Sequence, residues 1–238
     1  ACRPLPRYAR LETAVACREG LRRPMPRPYD VDMLELLTGA GLAAAAGLNA
    51  YIPLLVMGLA ARFDWIGLPS GWTWLSNEWV LVIIGVLLVV EIVADKVPAV
   101  DSVNDWIQTV VRPASGGIVF AGGIGTETVA VDDPGSFFTS GAWIPIAIGI
   151  GLALLVHLGK MAVRPVANLA TGGVAAPVLS TAEDGASLVM VILALVAPIL
   201  VLLGLGLMVL GFVLLVRRMR RRRRERAAVA ATPPEFLR

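Results

Sequence analysis

The sequence predicts an all-α, polytopic helical membrane protein with broken or re-entrant segments. Hydrophobic residues make up 57% of the 238 and charged residues 16%, at a mean hydropathy of +0.75. That balance is too apolar for a soluble domain. Apolar runs recur at lengths that suit a bilayer, and several are interrupted by Gly, Pro or Asn. Helices tolerate such breaks in lipid where neighbours satisfy the freed backbone groups. The length allows four to six spans with short connections and leaves no room for a separate soluble catalytic domain.

The net charge of +3 is unevenly spread. Residues 1–32 carry seven Arg against four acids, and Arg217–Arg226 carry eight Arg against Glu225. The remaining body, 33–216, holds five Lys or Arg against twelve Asp or Glu. Basicity therefore describes the ends and acidity the core, which argues against nucleic-acid binding. Both cysteines, Cys2 and Cys17, lie in the N-terminal arm, and no CxxC or Cys/His cluster exists. Neither a thiolate metal site nor any cofactor is expected.

The Arg- and Pro-rich stretch 1–32 has no apolar run of signal-peptide length. It is expected to be a disordered basic extension, or sequence ahead of a start at Met33. Leu34 to Ala61 is a long apolar run with Gly47-Leu-Asn49-Ala-Tyr51-Ile-Pro53 at its middle. Pro53 removes a donor and disfavours helix at Ile52, so a kink or break is expected, with Asn49 satisfying freed backbone groups. Gly39, Gly41, Ala43–Ala46 and Gly47 allow neighbouring helices to approach closely. In the loop 62–78, Phe63, Trp65, Trp72 and Trp74 form an interfacial aromatic belt.

Trp79 to Ala94 reads as a second span. Beyond Pro98, Asp101, Asn104, Asp105, Gln108 and Arg112 fall on one helical face, opposite Val103, Trp106, Ile107, Val110 and Val111. This is an amphipathic helix, capped by Asp101 and ended by Pro113, lying on the membrane or packed across the bundle. The Gly-rich 114–130 is expected to re-enter the membrane or cross it at a tilt, and Asp132-Asp133-Pro134-Gly135 to turn. Ala142 to Leu158 is a span reaching towards His157, Lys160 and Arg164. Pro165–Ala182 is small, Gly/Pro-broken and apolar, which suggests an unwound or re-entrant segment. Ala186 to Val216 is the last span, kinked at Pro198. The tail 217–238 begins with RRMRRRRRER, a stop-transfer cluster that points to a cytoplasmic C-terminus and to anionic lipid.

The chemistry concentrates between Glu91 and Arg112. A charge near the bilayer centre costs roughly 2.5–3.5 kcal/mol on the insertion scale, so such groups are interfacial or paired around a polar interior. Glu91, Asp95, Lys96, Asp101, Asp105 and Arg112 are the candidate ion or substrate site, with Lys96 and Arg112 as counter-charges and Asn49 as a polar contact at the helix break. Lys160, Arg164, Asn168, Glu183 and Asp184 are secondary polar positions, and His157 shares a face with Lys160. Each also reads as an interfacial anchor. Arg112-Pro113 and Arg164-Pro165 both precede Gly-rich segments, which hints at a duplication. No catalytic triad, phosphate loop, HExxH or nucleotide fingerprint is present, so no enzyme is expected.

The pieces Gly47-Leu-Asn-Ala-Tyr-Ile-Pro-Leu54, Ala94-Asp-Lys-Val-Pro98 with Asp101 and Asp105, Arg112-Pro113 and Ser180-Thr-Ala-Glu-Asp184 resemble a bacterial family of integral membrane proteins, domain-of-unknown-function family 4126. The resemblance covers about Met33 to Val216. It implies a multi-pass protein of the bacterial inner membrane and brings no assigned activity. A fainter similarity joins Glu91…Asp95-Lys96 to the acidic-Asp-Lys helix motif of some small cation exporters, with one more residue in the spacing. The expected function is a small transporter or channel for a cation or small cationic solute, with a non-transporting scaffold as the alternative. The lipid bilayer is the expected partner, and a homo-oligomer is allowed.

Overall fold

The computed structural model describes residues 32–125, 141, 143–172 and 174–230. The basic arm before Asp32, the turn Asp132–Gly135 and the last eight residues of the tail lie outside them. The described residues form helices and no strand. In chain order these are α1 (Met33–Leu48), α2 (Tyr51–Arg62), a 3-10 helix (Ser70–Ser76), α3 (Glu78–Ala94), α4 (Pro98–Gly123), α5 (Trp143–Thr171), α6 (Ala175–Val196) and α7 (Ile199–Ala230).

Helix α1 is the axis. It contacts α2, α4, α5, α6 and α7, and every residue from Gly41 to Leu48 is buried. Its glycines allow this by letting three neighbours in at once. A Cβ at Gly39 would sit 2.7 Å from Ile124, one at Gly41 2.8 Å from Val201, and one at Gly47 2.6 Å from the Ala153 carbonyl. The expectation of close packing along this stretch is met, and the core continues through Met57, Val119, Val191 and Val201.

Among the described residues three helices are long and apolar enough to cross a membrane: Trp143–Leu169, Ala176–Val196 and Ile199–Arg218. The 3-10 helix and α3, bent by 64° at their junction, form a fourth candidate. Asn77 caps α3 by accepting from the Trp79 amide at 3.0 Å. The outer faces are apolar, with Val86, Val89, Leu202 and Leu203 all exposed.

Four expectations need correction. Ala186–Val216 is two helices, because the chain breaks at Ala197-Pro198 and α7 folds back antiparallel to α6, with Gly204 against Met190. Pro198 denies the Ala194 carbonyl its donor. The Thr38 hydroxyl of α1 takes that place at 3.1 Å, sharing its proton with the Leu34 carbonyl. Pro113 does not end its helix: α4 runs through it and the Gly-rich residues 114–123 to Gly123. There Gly116 and Gly117 press α4 against α5, and packing outweighs the lost hydrogen bond. Likewise α5 runs through Pro165 to Thr171, so most of 165–182 is helical and the chain turns near Gly172, whose φ is +64°. Last, Trp72 is buried rather than part of the exposed belt, while Phe63 and Trp65 do face outward.

The α4–α5 crossing rests on Gly149, where a Cβ would collide with the Gly116 carbonyl oxygen and come within 2.5 Å of Phe120 Cβ. Gly149→Val is expected to destabilise the protein by roughly 1–3 kcal/mol, the usual cost of overpacking. Gly151→Val, which meets nothing within 4 Å, should unfold like the parent. Thermal unfolding in detergent checks the pair.

Candidate functional site

The site begins where α1 stops. Asn49 Oδ1 accepts from the amides of Tyr51 and Ile52 at 3.0 and 3.1 Å and so caps α2, while Asn49 Nδ2 donates to Asp184 Oδ1 at 2.9 Å. Side-chain donors also gather on the carbonyls around the break. Ser187 Oγ donates to the Ala45 carbonyl at 3.0 Å and Ser115 Oγ to that of Ala50 at 2.6 Å. Lys160 Nζ lies 3.5 Å from the Leu48 carbonyl. A cation there also answers the partial negative charge at the C-terminus of a helix.

From this point an ion-pair network spreads over α3, α4, α5 and α6. Arg112 Nη2 meets Glu91 Oε1 at 2.8 Å and lies 3.8 Å from Asp95. Asp95 Oδ2 also faces Lys160 at 3.4 Å and Arg164 at 3.1 Å, and Asn104 donates to its other oxygen at 2.8 Å. Glu183 Oε2 receives Lys160 at 2.9 Å and Arg164 at 2.6 Å. Arg164 Nη1 is 3.7 Å from Asp105. Among the described residues four carboxylates therefore surround three cations, and Asp184 adds a fifth through Asn49. The members are almost wholly enclosed, with Arg112 at 0% exposure and Glu91, Asp95 and Arg164 at 2%.

Histidine 157 is part of this interior. Arg112 Nη1 lies 3.3 Å from His157 Nδ1, and Thr109 Oγ1 lies 3.1 Å from Nε2. A guanidinium can only donate, so Nδ1 accepts and the ring proton sits on Nε2. It points at Thr109, whose hydroxyl donates onward to the Asp105 carbonyl at 2.8 Å. Every step of this chain has one direction of donation.

Helix α4 shows why the interior is polar. Its face of Asp105, Gln108 and Arg112 is buried, while Val103, Trp106, Ile107 and Val110 are exposed. A soluble protein would bury the second set. The inverted arrangement suits an apolar surrounding and a polar centre.

Among the sequence-derived candidates, Asn49, Glu91, Asp95, Asp105, Arg112, Lys160, Arg164, Glu183 and Asp184 are brought together. Lys96 is not. It is exposed, and its Nζ turns back to the Ile92 carbonyl of its own helix at 3.2 Å. One residue along a helix is about 100° around it, so Lys96 cannot share the face of Asp95. Asp101 does not cap α4, which starts a turn earlier with Pro98 at its first position; its side chain lies outside what the structure describes. Asn168 Oδ1 is buried without a hydrogen-bond partner, outside the ion-pair network. His157 also reads as an interfacial anchor in the sequence, although the 157, 160, 164 spacing puts it on the face of Lys160 and Arg164. Nothing in the sequence marked Ser115 or Ser187 as backbone donors.

Some polar atoms in the network stay unmatched. Glu91 Oε2 and Gln108 Oε1 are buried with no hydrogen-bond partner. Each such atom costs roughly 1–3 kcal/mol unless water or a ligand meets it. No three His, Cys, Asp or Glu among the described residues converge in a way that could hold a metal ion. The carboxylates are spaced out by guanidinium and ammonium groups instead.

Apolar helices of spanning length around an enclosed set of charges define an all-α membrane protein with a buried polar centre. The chain belongs to the family described as Domain of unknown function (DUF4126), which matches residues 36–218. No curated protein and no solved structure matches it significantly.

Removing one member of a buried pair leaves the other uncompensated. Arg112→Met is therefore expected to destabilise by roughly 3–5 kcal/mol. Adding Glu91→Gln to it should recover part of the loss, and Lys96→Ala should stay within about 0.5 kcal/mol of the parent. Denaturant or thermal unfolding of the four proteins checks this ordering.

Proposed function

We propose that this protein moves a cation or small cationic solute across a membrane, with the carboxylates of the buried network as its charge site. The observation that carries the reading is the surplus of carboxylates over cations in an enclosed space. An uncompensated buried carboxylate is costly and is met by a proton or another cation. A structure that needs only rigidity gains nothing from the extra charge. The unmatched Glu91 Oε2 and the inward polar face of α4 support the same reading. So does the break after α1, since discontinuous helices commonly border substrate sites in transporters.

Asp95 is the expected hub, because it touches all three cations of the network. A substrate cation arriving there competes with Lys160 or Arg164 and lets one swing away. The absence of a converged metal-ligand set among the described residues favours a solute recognised by hydrogen bonds over a bare metal ion. The role is non-enzymatic. The eight Arg of 217–226 put the C-terminus in the cytoplasm by the positive-inside rule and hold anionic lipid there. For a bacterial chain the membrane is the inner one.

The competing reading is a membrane scaffold, favoured by the completeness with which Asp95 is caged. The two separate by experiment. Full-length protein in proteoliposomes, surveyed by solid-supported-membrane electrophysiology over inorganic cations and amines, should give a substrate-specific current. Asp95→Asn, verified as folded, should lose it by an order of magnitude or more. A folded Asp95→Asn that conducts like the parent overturns the assignment. Silence from the folded parent, together with recovery of Asp95→Lys stability by Lys160→Glu or Arg164→Glu, selects the scaffold.

A further inference from the structure

A groove of about 590 Å³ lies beside the ion-pair network, between α5, α6, α7 and the end of α1. That volume is within the usual range for small-molecule pockets, roughly 300–1,000 Å³. Its walls are apolar, formed chiefly by Leu155, Leu158, Gly159, Met208 and Phe212. Leu155, Leu158 and Phe212 are also exposed on the outer apolar surface. The groove therefore opens sideways, to the medium that surrounds the helices. Its inner end is different: there Lys160 and Glu183 line it, 2.9 Å apart.

Which sign of head group fits follows from those two residues. The Lys160 ammonium is surrounded by oxygens from Leu48, Asp95 and Glu183, and its side chain is 2% exposed. Glu183 is the more open of the pair at 14%. The group a ligand reaches first is thus a carboxylate, in a network with more carboxylates than cations. A cationic head would meet attraction, and an anionic head would add to the surplus.

We propose that this groove binds amphiphilic cations, with a hydrocarbon-bearing amine lying along Leu155, Leu158, Met208 and Phe212 and its ammonium on Glu183. The inference rests on the cation reading above and names the substrate class: solutes that reach the site from within the bilayer rather than from water. Glycine at 159 keeps the path open. A Cβ there would stand 3.6 Å from the Phe212 ring, so a side chain at 159 would start within the groove and against its wall.

The test is photolabelling of full-length protein in phosphatidylcholine nanodiscs with a diazirine-bearing dodecylamine. Label is expected on the peptides holding Leu155–Gly159 and Met208–Phe212. Excess dodecylamine should displace it and dodecanoic acid should not. Glu183→Gln should reduce it by an order of magnitude, and Gly159→Leu should abolish it with unfolding temperature unchanged. If Glu183→Gln does not fold, Gly159→Leu decides. Label spread evenly along Leu202, Leu203 and Leu207 would mean simple partitioning and overturn the proposal. Equal displacement by the acid, or full labelling of a folded Gly159→Leu, would do the same. Failure here alongside currents carried by small inorganic cations removes the groove and keeps the transport reading. Specific labelling in a protein that carries no current removes transport and keeps the groove.

Discussion

Backbone carbonyls released inside an apolar medium need donors, and the rest of this structure depends on how that need is met at the end of α1. In the hydrocarbon of a bilayer bulk water does not reach a broken helix, and each unmatched group costs several kcal/mol. Here the break at Asn49-Ala50 is surrounded by donors from three different helices: Ser115 of α4, Lys160 of α5 and Ser187 of α6. Thr38 extends the same service to the carbonyl orphaned by Pro198. Helix α1 is thus held by directed bonds from its neighbours as well as by its glycine contacts. The residues that satisfy the break are the ones that line the charge network or border it.

The network itself is placed by the same economy of contacts. Lys160 serves the Leu48 carbonyl, Asp95 and Glu183 together. Arg112 spans Glu91, Asp95 and His157. Buried ion pairs contribute little net stability, because desolvation consumes most of the Coulombic gain, while breaking one is costly. Such an arrangement makes geometry specific without making it much more stable. A displaced partner here has another acceptor within reach, since Arg164 is shared by Asp95, Asp105 and Glu183.

The helical class, the break at Asn49 and most of the charged cluster were legible in the sequence. Composition and run length show the first, Pro53 after a polar Asn shows the second, and helical spacing puts Asp105, Gln108 and Arg112 on one face. The behaviour of proline was less legible. Pro198 ends a helix, whereas Pro113 and Pro165 ride inside theirs. The residue itself removes one donor in all three cases, and the outcome depends on tertiary contact. Gly116 and Gly117 hold α4 against α5 across the first. At Pro198, Thr38 stands ready to accept the break. Those partners are far away in sequence, so no local pattern carries them. Lys96 failed as a candidate for a simpler reason: adjacency in sequence is divergence on a helix.

The inverted faces of α4 bear on how the protein is built. Alone in a bilayer this helix would present Asp105, Gln108 and Arg112 to acyl chains, and its own apolar face is too narrow to offset them. Glu91 and Asp95 precede it in the chain, while Arg164 and His157 on α5 follow it. The cation facing Asp105 and the imidazole facing Arg112 are therefore synthesised only after α4 itself. The polar face of α4 is thus completed only by the second half of the chain, and truncation after α4 would leave Asp105 without Arg164 and Arg112 without His157.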